Sequence, residues 1–218
     1  MSIQPKIIDL NTYPRRAHFE YFSSFANPYV GVTVPVDITP LMDFRRETGA
    51  PFFLSLLYPA VQAANSVPEL RRRIKDGQIL EFPHCPSSHT VAKDDGTYSY
   101  CVLDCPMSFT DFLPRAIAAQ EQCRRSGTIE EDPDAALPCF FVSSAPWLPY
   151  TALVQPTPYP ADSNVRITWG KYTTENGRIH IPMSILCHHA LVDGRHLGMF
   201  YDALNEEILR LSHQPGLL

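Results

Sequence analysis

The most constraining stretch of this 218-residue chain is its C-terminal third. Val165 to Tyr172 and Arg178 to His188 read as strands, rich in β-branched and apolar residues. Asn176-Gly177 between them is a hairpin signal, because such a two-residue turn needs positive φ at its centre. The second strand runs through Leu191-Val192-Asp193-Gly194 into Leu197, Phe200, Leu204, Ile208 and Leu211. That spacing predicts a final amphipathic helix over about 195–212. A strand hairpin feeding such a helix requires a sheet against which the helix buries its apolar stripe.

The rest of the chain repeats this mixture. Pro14 to Phe25 reads as a helix with Phe19, Phe22 and Phe25 along one side, and Tyr29 to Ile38 as a strand ended by cap signals at Thr39-Pro40. Helices are expected at about Leu41 to Thr48 and Phe52 to Ser66. Strands follow at Gln78 to Phe82, His89 to Lys93 and Thr97 to Asp104, then a helix from Phe109 to Arg125 and a strand from Cys139 to Ser144. Arg71-Arg72-Arg73, flanked by Leu70 and Ile74, reads as the solvated face of a helix. With no internal repeat or charge block, residues 1–218 are expected to form one α/β layered domain.

Hydrophobic content of 44% with 19% charged residues suits a globular protein, and a net charge of −5 argues against nucleic-acid binding. The longest apolar run, about 52–64, is broken by Pro59 and is too short to span a bilayer. The opening Met-Ser-Ile-Gln-Pro-Lys lacks the pattern of a signal peptide, so a soluble cytoplasmic protein with no membrane partner is expected. None of the six cysteines forms a Cys-x-x-Cys pair, which favours small buried hydrophobes over disulfides or zinc. His188, His189, Asp193 and His196 could be imagined around a metal. Strand alternation, however, sends His188 and His189 to opposite faces, so no metal is expected.

The chemistry concentrates in Cys187-His188-His189-Ala190-Leu191-Val192-Asp193-Gly194-Arg195-His196. A histidine at the end of a buried strand can face a cleft while its backbone stays in the sheet. Its imidazole exchanges a proton near neutral pH, as a general base must. By itself such a residue is more often a satisfied polar group at a strand end, and Asp193 more often a helix N-cap.

This segment resembles the His-His-Ala-x-x-Asp-Gly-x-His motif of the chloramphenicol acetyltransferase family. The resemblance continues in Pro14-Arg15-Arg16-Ala17-His18-Phe19-Glu20, Val36-Asp37-Ile38-Thr39, Asn65 with Glu69-Leu70-Arg71, Phe141-Val142-Ser143-Ser144-Ala145-Pro146-Trp147, and Lys171-Tyr172. These follow in order and span nearly the whole chain. The resemblance implies a two-layer sandwich, a large mixed and mostly antiparallel sheet flanked by helices. It also implies a homotrimer with active sites between neighbours. The implied activity is acetyl transfer from acetyl-coenzyme A to a hydroxyl, in a ternary complex and without an acyl-enzyme. The metal-free catalytic set would be His189 as base, Ser143 as oxyanion donor, Thr168 holding a water, and Asp193 paired with Arg15. Trp147, Lys171 and Tyr172 would handle coenzyme A; Tyr21, Phe22, Tyr29, Val30, Tyr98 and Leu153 would line the acceptor pocket.

The register leaves Ser144 as an alternative to Ser143 and Arg16 as an alternative to Arg15. Phe22 stands where the family has a tyrosine hydroxyl, Val30 and Leu153 replace phenylalanines, Gln155 replaces an apolar residue, and Pro51 replaces a lysine of some members. These departures bear on the acceptor, whether the antibiotic of a resistance enzyme or another alcohol, more than on the chemistry. Rival readings are a Ser-His-Asp hydrolase, which the lack of a Gly-x-Ser-x-Gly elbow disfavours, a trimeric ligand-sequestering protein, and a dihydrolipoyl acyltransferase core.

Overall fold

The computed structural model describes residues 4–130 and 132–213. The chain runs β1 (Lys6–Ile8), α1 (Arg16–Ser23), β2 (Tyr29–Asp37), α2 (Thr39–Thr48), α3 (Phe52–Ser66), β3 (Arg72–Lys75), β4 (Gln78–Glu81), β5 (Ser87–Ala92) and β6 (Tyr98–Leu103). It continues through α4 (Phe109–Ser126), a short α5 (Pro133–Ala136), β7 (Phe140–Ser144), β8 (Arg166–Trp169), β9 (Thr173–Glu175), β10 (Arg178–His188) and α6 (Gly194–Ser212). The large sheet has the order β2-β10-β8-β7-β5-β6, with β9 beside the start of β10, and β1-β4-β3 form a small antiparallel sheet.

β10 organises the large sheet. It pairs antiparallel with β2 from His180↔Asp37 to His188↔Tyr29, and with β8 from Met183↔Trp169 to Leu186↔Arg166. β7 joins β8 in parallel, placing Ser143 opposite Thr168, and β5 joins β7 in parallel. The mixed, α/β layered sheet expected from the sequence is thus present.

Alternation along the strands sorts the two faces. Ile181, Met183 and Ile185 are buried on the helical side, where the Tyr201 hydroxyl of α6 donates to Met183 O at 2.8 Å. The Phe53 ring of α3 lies 5.1 Å from Trp169 and 5.0 Å from His89. Helix α3 is buried almost all round, from Leu54 to Val61 and at Ala63 and Ala64, as befits a helix with neighbours on every side. The opposite face carries Thr33, Ser184, Thr168 and Ser143, and the segment 145–164 crosses it without regular structure. Tyr150 from that segment donates its hydroxyl to Thr168 O at 2.8 Å.

Two local expectations fail. The run Arg71-Arg72-Arg73 is no helix face: Arg72 and Arg73 open β3, which turns into β4 through Asp76 and Gly77, both at positive φ. Alternation sends Arg72 outward to Glu69 at 3.1 Å and Glu81 at 2.8 Å, and drives Arg73 inward to complete burial. Helical spacing misread the run because it passed over the Asp-Gly turn. Among the described residues Arg73 meets no carboxylate. Its donors reach Leu70 O (2.8 Å), Arg72 O (2.7 Å), Leu137 O (2.9 Å), Pro138 O (3.1 Å) and Cys139 O (3.1 Å), and its guanidinium lies 5.4 Å from the Phe140 ring centroid. Burial lowers its pKa, opposed by nearby thiols and Asp162.

The second failure is the single strand expected over Val165 to Tyr172, which ends at Trp169. A Cβ on Gly170 would lie 2.5 Å from Leu148 O, so the chain passes there only as glycine and resumes as β9.

Arg73→Met should destabilise the fold by about 3–5 kcal/mol, since it strands several buried carbonyls at once. Urea unfolding of the variant checks this, and a midpoint close to the parent's would rule out the bonded role given to Arg73.

Candidate active site

The last residues of β10 and the turn into α6 hold the two histidines. His189 N–H donates to Pro28 O at 2.7 Å, and Leu191 and Val192 N–H both return to His188 O, at 3.0 and 3.1 Å. This tight turn brings Val192 O within 2.8 Å of His189 Nδ1. A carbonyl can only accept, so Nδ1 carries the proton, and Nε2 of the neutral ring keeps its lone pair. Nε2 has no hydrogen-bond partner among the described residues. The ring is stacked on Phe22 of α1, centroids 3.9 Å apart and planes 18° from parallel. One nitrogen is tethered, one face is covered, and the basic nitrogen is left available.

His188 has the opposite tautomer. Its Nδ1 accepts from Ala190 N–H at 3.3 Å, and burial pushes its pKa down to about 4. It packs edge-on to Tyr29 at 6.0 Å. The Tyr29 hydroxyl donates to Asp162 Oδ1 at 3.0 Å, and Asp162 holds Arg166 through contacts of 2.8 and 2.7 Å. Burial, then the Asp162 charge, raises the phenol to about 12.

Asp193 caps α6. Its carboxylate accepts from Arg195 N–H at 3.0 Å and from Arg15 Nη1, which arrives from the start of α1; Arg16 instead pairs with Glu20. Burial would raise this carboxyl, but the Arg15 hydrogen bond, the charges of His196 and Arg15, and the Arg195 N–H outweigh it and hold the pKa below the ordinary value. The backbone N–H of Asp193 donates to His196 Nδ1 at 3.1 Å, completing a capping box. Burial lowers the pKa of His196 against the opposing charges of Asp193 and Glu69, and its Nδ1 also lies 2.9 Å from Asp193 Oδ1. Glu69 lies 3.8 Å from His196 and ties the cap, through Arg72, to the small sheet. Sequence reasoning left Glu69 and His196 without this role. The Asp193 to His196 spacing, three residues before an apolar stripe, was the signal available.

A second cluster lies on the open face of the sheet. Ser143 Oγ and Thr168 Oγ1 are 2.8 Å apart, and Thr168 donates to Gln155 Oε1 at 3.2 Å. Ser144 stands opposite Trp169, on the helical side, so Ser143 is the serine that shares a face with Thr168. Two cavities flank the segment 151–156. One, of about 280 Å³, is lined by Ser88, Thr90, Phe141, Ser143, Gln155 and Arg166. The other, of about 220 Å³, is lined by Gly31, Thr33, Leu153, Gln155, Ser184 and Leu186. Thr33, Ser184 and Tyr150 extend the polar row, with Ser184 Oγ 2.7 Å from Thr33 Oγ1 and 3.3 Å from the Tyr150 hydroxyl.

Within one chain these clusters stay apart. Ser143 is level with Ser184 through Thr168, whereas His189 lies five residues further along. At roughly 3.3 Å per residue and about 4.8 Å per strand, more than about 15 Å separates them. With His189 stand Phe22, Arg15 and Asp193. Tyr21, 61% exposed, leans on Phe22 and Phe25, and Tyr29 and Val30 begin the neighbouring strand. With Ser143 stand Thr168 and Leu153. Tyr98 is on the far edge strand β6, paired only loosely with Tyr100. Trp147 is 80% exposed, Lys171 is exposed, and Tyr172 is tilted against Phe52 at 5.8 Å. No trio of His, Cys, Asp or Glu among the described residues is grouped to hold a metal ion.

Asp193→Asn should lower the thermal midpoint at neutral pH. Because the folded pKa lies below the unfolded one, the carboxylate's contribution is present above about pH 4 and is lost as pH falls through the folded value. The gap between parent and variant should therefore close in acid; a gap of constant size would mean that the charge carries none of the contact.

The chain matches the family described as "Chloramphenicol acetyltransferase" over residues 3–205. A chloramphenicol acetyltransferase of Clostridium perfringens is 30% identical over 205 residues, which is 92% of this chain and 97% of that protein. One of Clostridioides difficile is 29% identical over 206 residues, covering 93% and 95%. A solved structure of a chloramphenicol acetyltransferase superposes with a TM-score of 0.87 at 23% identity, over 94% of this chain and 100% of that one, a likeness of fold. On the extent of these matches, the chain belongs to the chloramphenicol acetyltransferase family.

Proposed function

We propose that this protein transfers the acetyl group of acetyl-coenzyme A to a hydroxyl of a small acceptor, chloramphenicol or a similar alcohol, with His189 as general base. The observation that carries the reading is the tethered imidazole: Nδ1–H is committed to Val192 O, the ring is stacked on Phe22, and Nε2 is free to take a proton. In this reading Nε2 removes the acceptor's hydroxyl proton as its oxygen attacks the thioester carbonyl. The tetrahedral intermediate forms directly, with no acyl-enzyme. Its collapse breaks the carbon–sulfur bond, and the departing thiolate recovers the proton from His189. The Ser143 hydroxyl donates to the oxyanion, with Thr168 behind it; Asp193 and Arg15 keep the His189 turn in place.

The separation of Ser143 from His189 supports a site built by two copies of the chain. We place it at the interfaces of a homotrimer, one copy supplying His189 and its neighbour supplying Ser143. Trp147, Lys171 and Tyr172, all accessible in the single chain, would handle coenzyme A. Tyr21, Phe22, Tyr29, Val30, Tyr98 and Leu153 would surround the acceptor, with Tyr98 reaching it only across an interface. No helix among the described residues is long and apolar enough to cross a membrane. The reading places the activity in the cytoplasm, where acetyl-coenzyme A would be its co-substrate. The chemistry needs no metal.

Free-thiol release from acetyl-coenzyme A, measured across a panel of alcohols including chloramphenicol, tests the activity. Release that needs an acceptor is expected; release without one would point to a hydrolase, and none with any alcohol to a binding protein. His189→Ala should reduce turnover by about 10²–10⁴-fold, and near-normal turnover would remove it as the base. Refolding His189→Ala together with Ser143→Ala should restore activity that neither variant has alone, because some mixed interfaces join the two intact residues. Absence of any recovery would count against a shared site.

A further inference from the structure

We propose that Gln155 is a positioning residue that sets the direction in which the Ser143 hydroxyl donates. The inference rests on the acetyl-transfer reading above and concerns the same site.

Three polar groups stand in a row: Ser143 Oγ, Thr168 Oγ1 at 2.8 Å from it, and Gln155 Oε1 at 3.2 Å from Thr168. Each hydroxyl has one proton to give. Thr168 is buried, and its proton goes to the Gln155 carbonyl oxygen. The 2.8 Å contact must then be made by the Ser143 proton, which points at Thr168 and away from the cavity. Turning the carboxamide end for end reverses the row with no other heavy atom moving. Gln155 Nε2–H then donates to Thr168, Thr168 donates to Ser143 Oγ, and the Ser143 proton is released toward the cavity.

Only the second arrangement presents a donor to an oxyanion. Gln155 is half-buried, lines both cavities and can be reached from either, so a bound acceptor or thioester can select its orientation. An aliphatic residue at this position would leave Thr168 free to point either way. A carboxylate would hold the row in the unproductive direction.

The test is acetyl-transfer kinetics of Gln155→Glu and Gln155→Leu. The glutamate variant, an acceptor only, should lose about 100-fold in kcat at alkaline pH, comparable to losing an oxyanion donor, with KM for acetyl-coenzyme A little changed. The leucine variant should retain at least tenfold more. The activity of Gln155→Glu relative to the parent should recover at lower pH, where its carboxyl gains a proton to donate.

Simple repulsion between a carboxylate and the oxyanion would also slow Gln155→Glu, and the double variant with Ser143→Ala separates the two causes. If Gln155 acts through Ser143, adding Gln155→Glu to Ser143→Ala costs little more. A full further loss in the double variant, or equal activity of the glutamate and leucine variants, overturns the proposal while the acetyl-transfer reading stands. A parent with no transfer to any acceptor overturns both.

Discussion

β10 is hydrogen-bonded along both edges, to β2 over nine register pairs and to β8 over four. A strand paired on both sides cannot slip by one residue without sending its apolar set, Ile181, Met183 and Ile185, to the wrong face. That register positions the two polar clusters of the sheet. It sets Ser184 level with Thr168 and Ser143 on the open face, delivers His188 to Tyr29, and releases the chain at His189 where the sheet ends. The His189 N–H still donates to Pro28, so the turn begins from a fixed point. The base is therefore oriented by the sheet, while its ring protrudes beyond it.

Neighbouring histidines show how local polar partners assign chemistry. His188 accepts a backbone N–H and is buried, which disfavours its charged form. His189 donates to a backbone carbonyl, which leaves its other nitrogen basic. The same residue type, one position apart, becomes a structural acceptor in one case and a candidate base in the other. Arg73 and Arg166 make a similar contrast. The first is held mainly by backbone carbonyls, the second by a bidentate carboxylate, and each buried cation has the partners its burial demands.

The separation of the two polar clusters is as informative as their contents. A rigid sheet keeps Ser143 and His189 apart in one chain, and no side-chain rotation spans that gap. A chemistry that needs both groups around one carbonyl must bring together two surfaces, which is why the proposed site falls between copies. The cluster around Asp193, Arg15, His196 and Glu69 then serves to stiffen one of those surfaces, the turn that carries His189.

Much of the layered architecture was legible from periodicity. The boundaries of α3 and β10 coincide with the apolar patterns, and the Asn176-Gly177 turn is marked by its own chemistry, with both residues at positive φ. The His189 and Asp193 motif was equally visible, because a strand end, a cap and a glycine lie within six consecutive residues. Arg73 was not legible: its burial depends on carbonyls at Leu137, Pro138 and Cys139, more than sixty residues away. Nor was the break at Gly170, set by the approach of Leu148 O. The sequence by itself determined most of the strands and helices and which residue types stand ready for acid–base chemistry, since those follow from local period and composition. Only the tertiary structure decided the tautomers of His188 and His189, the partners of Arg73 and Arg166, and the distance between Ser143 and His189, because these depend on how the fold turns the chain and which atoms it brings into contact.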